Sequence, residues 1–312
     1  MTSNSQSQGK NENSAIQGRP IILGEALFDQ FPDGEAVLGG APFNVAWHLK
    51  GLGASPLFIS RIGKDGAGEK VRAAMQDWDM DLAGLQEDPN HPTGAVRITL
   101  DKGQPTFDIM PDQAYDHIDA GEARSVLAGA GDAGLLYHGT LILRSAAMRD
   151  GLDALLADNR LPIFVDINLR APWWDPAHLP GLLERARWVK VNDDELAIIT
   201  GSVPGRELAD MARYVQTTHD IRLLIVTRGA KGAVAFDETG REFSVSPAPS
   251  GDATVDTVDT VGAGDAFSAM TITGLLNGWP IPVIMDKAQA FASRVCRLRG
   301  AVSLDPDFYP TS

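Results

Sequence analysis

The chain has 312 residues, 44% of them hydrophobic and 22% charged, with a formal net charge of −14. This is a globular composition with ample chain for a buried core, and its acidic balance excludes partners gripped by a basic surface, nucleic acid above all. The single cysteine, Cys296, excludes an internal disulfide framework and fits a reducing compartment, so a cytoplasmic location is expected, with Cys296 as a small core residue in a helix.

Residues 1–18 are polar, nearly free of large apolar groups, and read as a disordered tail. They lack the apolar stretch of a signal peptide, and no later run approaches the roughly 18 apolar residues of a membrane span. From residue 19 onward, short β-rich runs alternate with helical patterns. Ile21-Ile22-Leu23 opens the first strand, a helix follows from about Phe43 to Leu52, and Leu57-Phe58-Ile59 is a strand before a helix over 68–78. Later strands are Leu135–Tyr137, Ile163–Asp166, Trp188–Val191 and Leu223–Val226, separated by helical stretches near 145–158, 178–187, 193–200 and 205–218. The alternation predicts an α/β fold, a mostly parallel sheet with helices on both faces. Two regions interrupt it. Residues 94–118 read as an antiparallel hairpin around Asp101–Pro105, with Val96, Ile98 and Leu100 on one face. A second hairpin, about 233–247, reads as an edge of the main sheet.

The chemistry-bearing residues fall at the ends of these elements. Asp29 follows the first strand, where open parallel sheets bind ligands, and can accept hydrogen bonds from hydroxyls. Gly39 and Gly40 let a ligand lie against bare backbone, and Asn44 offers both donors and an acceptor; a tight turn opening a helix is the plainer alternative. Asp166-Ile167-Asn168-Leu169-Arg170 ends a central strand. Asn192 with Glu195 three residues later is a capping-box pattern. Thr227-Arg228-Gly229-Ala230-Lys231-Gly232 is a Gly-rich turn after a strand. The densest signal is Val258-Asp259-Thr260-Val261-Gly262-Ala263-Gly264-Asp265, followed by apolar residues at helical spacing. Free N–H groups of Gly262, Ala263 and Gly264 at a helix start would form an anion site, and Asp265 could take a proton from an attacking hydroxyl. The six histidines show no metal-ligand spacing, so no zinc site is expected. A Walker A loop and a Gly-x-Gly-x-x-Gly after the first strand are both missing, which disfavours P-loop kinases and Rossmann dehydrogenases.

Asp259-Thr260-Val261-Gly262-Ala263-Gly264-Asp265-Ala266-Phe267 resembles the C-terminal signature of the PfkB (ribokinase-like) carbohydrate kinases. Gly39-Gly40-Ala41-Pro42-Phe43-Asn44 resembles their N-terminal Gly-Gly-x-x-x-Asn signature, and the two lie about 220 residues apart in the right order. The resemblance implies one kinase domain over 19–312, with a small β-sheet lid from about 28–38 and 94–118. It implies that Asp29, Gly39, Gly40 and Asn44 bind a sugar, that Arg170 contacts sugar or γ-phosphate, and that Asp265 is the general base over an anion hole from Gly262 to Gly264. Asn192, Glu195, Thr227, Gly229, Gly232 and Ser293 fall at nucleotide-binding positions, with Glu195 helping to hold Mg²⁺ through water. Asp259 and Thr260, with carbonyls near Gly300-Ala301, are candidates for a monovalent cation such as K⁺. The implied activity is ATP-dependent phosphorylation of a sugar primary hydroxyl, nearest to fructokinases. A ribose or nucleoside kinase of the same fold, or a catalytically silent sugar-binding regulator, are the alternatives. Small-molecule sugar and ATP are the expected partners, with a homodimer formed through the lid and neither nucleic acid nor membrane involved.

Overall fold

The structure is a computed structural model that describes residues 15–101, 104–157, 161–201, 205–247 and 260–310. Most of the expected 1–18 tail, and residues 102–103 of the expected hairpin turn, lie outside the described residues. In chain order, β1 (Arg19–Leu23) leads to β2 (Leu27–Gln30) and β3 (Ala36–Gly39), then α1 (Ala41–Gly51), β4 (Leu57–Gly63), α2 (Gly66–Asp77) and β5 (Leu85–Asp88). There follow β6 (Gly94–Asp101), β7 (Gln104–Ile109), α3 (Ala120–Gly129), β8 (Ala133–Gly139), α4 (Ala146–Leu156), β9 (Ile163–Asp166), α5 (Leu179–Arg185) and β10 (Ala186–Asn192). The chain continues through α6 (Asp193–Ile199), α7 (Leu208–His219), β11 (Leu223–Thr227), β12 (Ala233–Asp237), β13 (Glu242–Val245), α8 (Ala263–Leu276) and α9 (Ile281–Val295).

Nine strands form the main sheet in the order β13-β12-β11-β10-β9-β8-β1-β4-β5. From β5 to β11 every pairing is parallel, and the β12–β13 hairpin adds an antiparallel edge, where the sequence put it. Strand alternation divides the core in two. Ile22 and Phe58 face one side, with α1, α2, α8 and α9. Ile21, Leu23, Leu57 and Ile59 face the other, with α3 to α7. Because both faces are covered, β1, β8 and β9 read as continuous apolar runs. Helix α8 is buried from Ala266 to Leu275, so it is enclosed all round rather than striped.

Four further strands, in the order β3-β2-β6-β7, make a separate small sheet. Only residues 24–26 separate β1 of the main sheet from β2 of the small one. Along β6, Val96 and Ile98 are buried while Arg97 and Thr99 are exposed, the expected half-buried alternation. Leu27, Val96 and Ile109 pack with Leu141 and Trp173 of the main body. The β6–β7 pair therefore closes over residues at the carboxyl end of β8 and beyond β9. Cys296 differs from its expected place: it caps the end of α9 and is half-buried rather than core.

Candidate active site

Parallel pairing sets the carboxyl ends of the central strands side by side. Gly139 of β8 pairs with Asp166 of β9, Asp166 with Lys190 of β10, and Asn192 with Thr227 of β11. Helix α8 starts above this edge. Its N-cap, Gly262, has φ +78°, and a Cβ there would lie 2.6 Å from Ala301 Cα, so a glycine is required on both counts. Among the described residues no side chain caps the helix. An added Cβ at Gly264 would meet no atom of the described residues nearer than the Lys190 Nζ, at 3.6 Å. The first turn thus offers open space, amide N–H groups and a nearby ammonium, a combination suited to an anion.

Asp265 lies in that first turn. Asn44 Nδ2, from α1, donates to Asp265 Oδ2 at 2.8 Å, which joins the two sequence signatures directly. Burial pushes the Asp265 carboxyl from its ordinary value of 3.8 up to about 6; the Asn44 bond, Lys190 and Arg170 oppose this and Asp166 adds to it. That places its proton affinity in the range useful to a general base near neutral pH. Asn44 Oδ1 is buried without a hydrogen-bond partner among the described residues. The position of a Cβ on Gly39 would be 3.9 Å from both Asn44 Oδ1 and Asp29 Oδ2, so two acceptors converge on the space that the glycine leaves. Gly40, at φ +106°, lies against the Glu25 carbonyl, which a Cβ would meet at 2.7 Å. Asp29 belongs to β2 and rides on the small sheet, paired with Val37 and Val96, within the 28–38 stretch expected to form part of that sheet. Burial raises its pKa, and the charge of Arg170 lowers it. The exposed Arg170 is therefore electrostatically close to both Asp29 and Asp265.

On the other side of α8, Glu195 completes the capping box foreseen at the start of α6: Asn192 Oδ1 accepts from the Glu195 amide at 2.8 Å, and Glu195 Oε2 from the Asn192 amide at 3.0 Å. Glu195 Oε1 also accepts from the Leu169 amide at 2.9 Å, so the carboxylate ties the 166–170 loop to α6. Its pKa is raised by burial, with the two amides pulling it back. Thr227 ends β11 and donates to the Val191 carbonyl at 3.4 Å. Gly229 (φ +54°) and Gly232 (φ +82°) shape the turn behind it, and a side chain at Gly232 would run into the Val245 carbonyl. Ser293 is half-buried on α9, its Oγ accepting from Gln289 Nε2 at 3.1 Å. Thr260 is exposed one turn before α8, while Asp259 lies outside the described residues.

Several residues escaped the sequence reading. Beneath Gly264, Lys190 Nζ donates to Asp166 Oδ1 at 2.5 Å, while Tyr137 Oη and Ser268 Oγ donate to Asp166 Oδ2 at 3.1 and 2.6 Å. All four side chains are buried. A lysine in the otherwise apolar run Trp188–Val191 was the available signal. Glu25, in the link between the two sheets, is pushed up to about 8 by burial, with Asp265 and Asp116 adding to the rise and Arg144 opposing it. Burial thus favours its neutral form, which would add no charge beside Asp265. Arg144 binds Asp116 through two nitrogens and stacks over Tyr115 and Trp173, 4.9 and 4.6 Å from their ring centres. Trp173 thus packs between the main body and the small sheet. Both tryptophans, with Thr140 and Arg144, line a cavity of about 310 Å³.

Among the described residues no helix is long and apolar enough to cross a membrane. The family model "pfkB family carbohydrate kinase" matches residues 25–307. Fructokinase of Salmonella typhimurium is 33% identical over 306 residues, which cover 91% of this chain and 95% of the relative. Fructokinase of Klebsiella pneumoniae is 34% identical, covering 89% of each. A double mutant of fructokinase from Vibrio cholerae, solved with fructose, ADP and potassium ion bound, superposes with a TM-score of 0.75 at 25% identity, over 92% of this chain and 95% of that one. The match spans both signatures and the Asn44–Asp265 contact that joins them: the chain belongs to the pfkB family of carbohydrate kinases, and it is a sugar kinase of ribokinase-like fold.

Proposed function

We propose that this kinase transfers the γ-phosphoryl group of ATP to a primary hydroxyl of fructose, with Asp265 as the general base. The observation that carries the mechanism is the Asn44–Asp265 bond. Asn44 holds Oδ2 and leaves Oδ1 to receive the hydroxyl proton. The hydroxyl oxygen then forms a bond to the γ-phosphorus as the bond to the β-phosphate oxygen breaks, and ADP leaves. The amides of Gly262 to Gly264, with the Lys190 ammonium below them, stabilise charge on the transferring group. Asp29, Asn44 Oδ1 and the bare backbone at Gly39 and Gly40 hold the sugar, and Arg170 spans the acceptor and phosphate sides.

The names of the relatives support fructose: the Salmonella and Klebsiella proteins are fructokinases, and the Vibrio structure holds fructose with ADP. Asn192, Thr227, Gly229, Gly232 and Ser293 form the nucleotide side. Mg²⁺, when bound, would offset the charge of the nucleotide phosphates. Glu195 fits such an ion through water, since each of its oxygens accepts only one amide and keeps a lone pair. A monovalent cation is assigned beside the Thr260–Gly262 turn, where Gly262 lies against Ala301. The small sheet acts as a lid that keeps water from the phosphoryl group. Its edge strand β7 carries Phe107, 60% exposed, as a dimer contact.

The test is ADP release with MgATP across fructose, ribose, ketodeoxygluconate, fructose-6-phosphate and adenosine. Fructose should give the highest kcat/KM. A higher value for ribose or adenosine would overturn the acceptor, and sugar binding without ADP release from any acceptor would overturn the mechanism.

A further inference from the structure

Three side chains outside the kinase site meet at the two roots of the small sheet. His91 lies just before β6, Asp112 just after β7, and His117 ends the single helical turn Ala114–His117. One ligand atom from each falls within 4.8 Å of the others. His117 Nε2 is 2.8 Å and His91 Nε2 is 3.7 Å from the same atom, Asp112 Oδ1. His91 is also fixed from behind: its Nδ1 is 3.0 Å from Oδ2 of Asp88, a residue only 2% exposed. Asp88 is itself held by the Asn90 and His91 amides and by Arg61 Nε at 3.1 Å. With Nδ1–H donated to Asp88, Nε2 of His91 carries the lone pair and faces Asp112. A carboxylate behind an imidazole is the usual second support of a metal-binding histidine.

We propose that His91, Asp112 and His117 bind one transition-metal dication of the Zn²⁺ class, tying the entry and exit of the small sheet together. Two imidazole nitrogens and one carboxylate oxygen suit Zn²⁺, Co²⁺ or Ni²⁺, whereas Mg²⁺ and Ca²⁺ prefer all-oxygen sets. Water fills the fourth position of a tetrahedral ion. The two imidazole rings are stacked, with centres 3.7 Å apart and planes 13° from parallel. Stacked rings send their Nε2 lone pairs side by side, so uptake tilts the rings until both reach one ion at about 2.0–2.1 Å. The Asp112 side chain is 72% exposed, which gives the ion a route in from solvent. No residue of this site is shared with the Asp265 or Glu195 clusters.

The experiment uses the untagged full chain, stripped with a chelator and titrated with Co²⁺ and then Zn²⁺. Uptake of one equivalent should appear as visible Co²⁺ absorption that Zn²⁺ displaces, with a rise in Tm. His117→Ala and Asp112→Asn should each weaken uptake tenfold or more and abolish the Tm rise, and Asp88→Asn should weaken it about 10- to 100-fold. Asp265→Asn should leave uptake unchanged. His117 and Asp112 lie toward the surface, and Asp112→Asn preserves shape, so the variants' metal-free Tm reports whether they fold. Failure of the wild-type chain to take up one equivalent, or uptake that survives both His117→Ala and Asp112→Asn, overturns the site.

Discussion

Replacing Asp265 by asparagine should make the protein more stable and nearly inactive, and the stability gain should depend on pH. The structure raises the Asp265 pKa from 3.8 to about 6, so the folded state holds the proton more tightly than the unfolded chain. Stability from the protonated form is fully present below pH 3.8 and is lost as pH rises through about 6. A shift of roughly two units corresponds to at most about 3 kcal/mol, and partial solvent exposure of the side chain reduces this to about 1–2 kcal/mol. Asparagine is neutral throughout, and its Oδ1 can still accept from Asn44. Asp265→Asn should therefore be about 1–2 kcal/mol more stable at pH 8, raising Tm by roughly 2–5 °C. The gap should shrink by about half at pH 5 and close near pH 4. The same change removes the proposed base, so kcat should fall about 10²–10⁴-fold. The wild-type kcat/KM profile should have its acid limb near pH 6. Ligand-free denaturation at pH 8 and pH 5, with the pH–rate profile alongside, tests all three. A pH-independent gap, or a variant less stable than wild type at pH 8, would refute the reasoning.

Breaking the buried pair with Lys190→Met should destabilise the fold by about 3–5 kcal/mol in urea titrations, and adding Asp166→Asn should recover part of that loss. The two loop glycines should behave differently: Gly262→Ala, with φ +78° and no room for a Cβ, should lower Tm by several degrees, whereas Gly264→Ala should fold normally yet lose roughly tenfold or more in kcat, since its methyl enters the anion space. Asp29→Ala should raise the KM for sugar about 10- to 100-fold and leave the KM for ATP nearly unchanged. Phe107→Asp should convert a dimer to a monomer in light scattering; an unchanged mass would remove β7 from the interface.

Most of the sheet, most of its helices and both hairpins were legible because strand runs, helical spacing and turns are local signals, whereas β5 and α3 were not read. Gly262 and Asp265 were legible because a helix start needs particular residues at fixed offsets. Asn44 was flagged as a binding residue, but its bond to Asp265 spans 221 positions and has no local trace. Strand β2 had no pattern of its own, because it is only four residues long and follows β1 almost at once; residues 28–38 were assigned to the small sheet by resemblance. The Lys190–Asp166 pair and the Arg144–Asp116 clamp arise from register and from packing between distant segments, which periodicity does not encode. The histidines were dismissed for the same reason: His91 and His117 are neighbours because β6 pairs with β7, not because of their spacing.

If the acceptor sugar meets both Asp29 and Asp265 as proposed, the three-residue link between β1 and β2 bears on the order of ligand binding. Asp29 travels with the small sheet, while Asp265 is fixed to α8 in the main body. A sugar that touches both is a bridge, and its affinity depends on the angle between the two sheets. Occupancy by the acceptor and the orientation of the small sheet are therefore thermodynamically linked, each favouring the other. Sugar bound first would set the sheets at the angle in which the Asp265 base meets its hydroxyl, and nucleotide arriving second would meet a site already assembled.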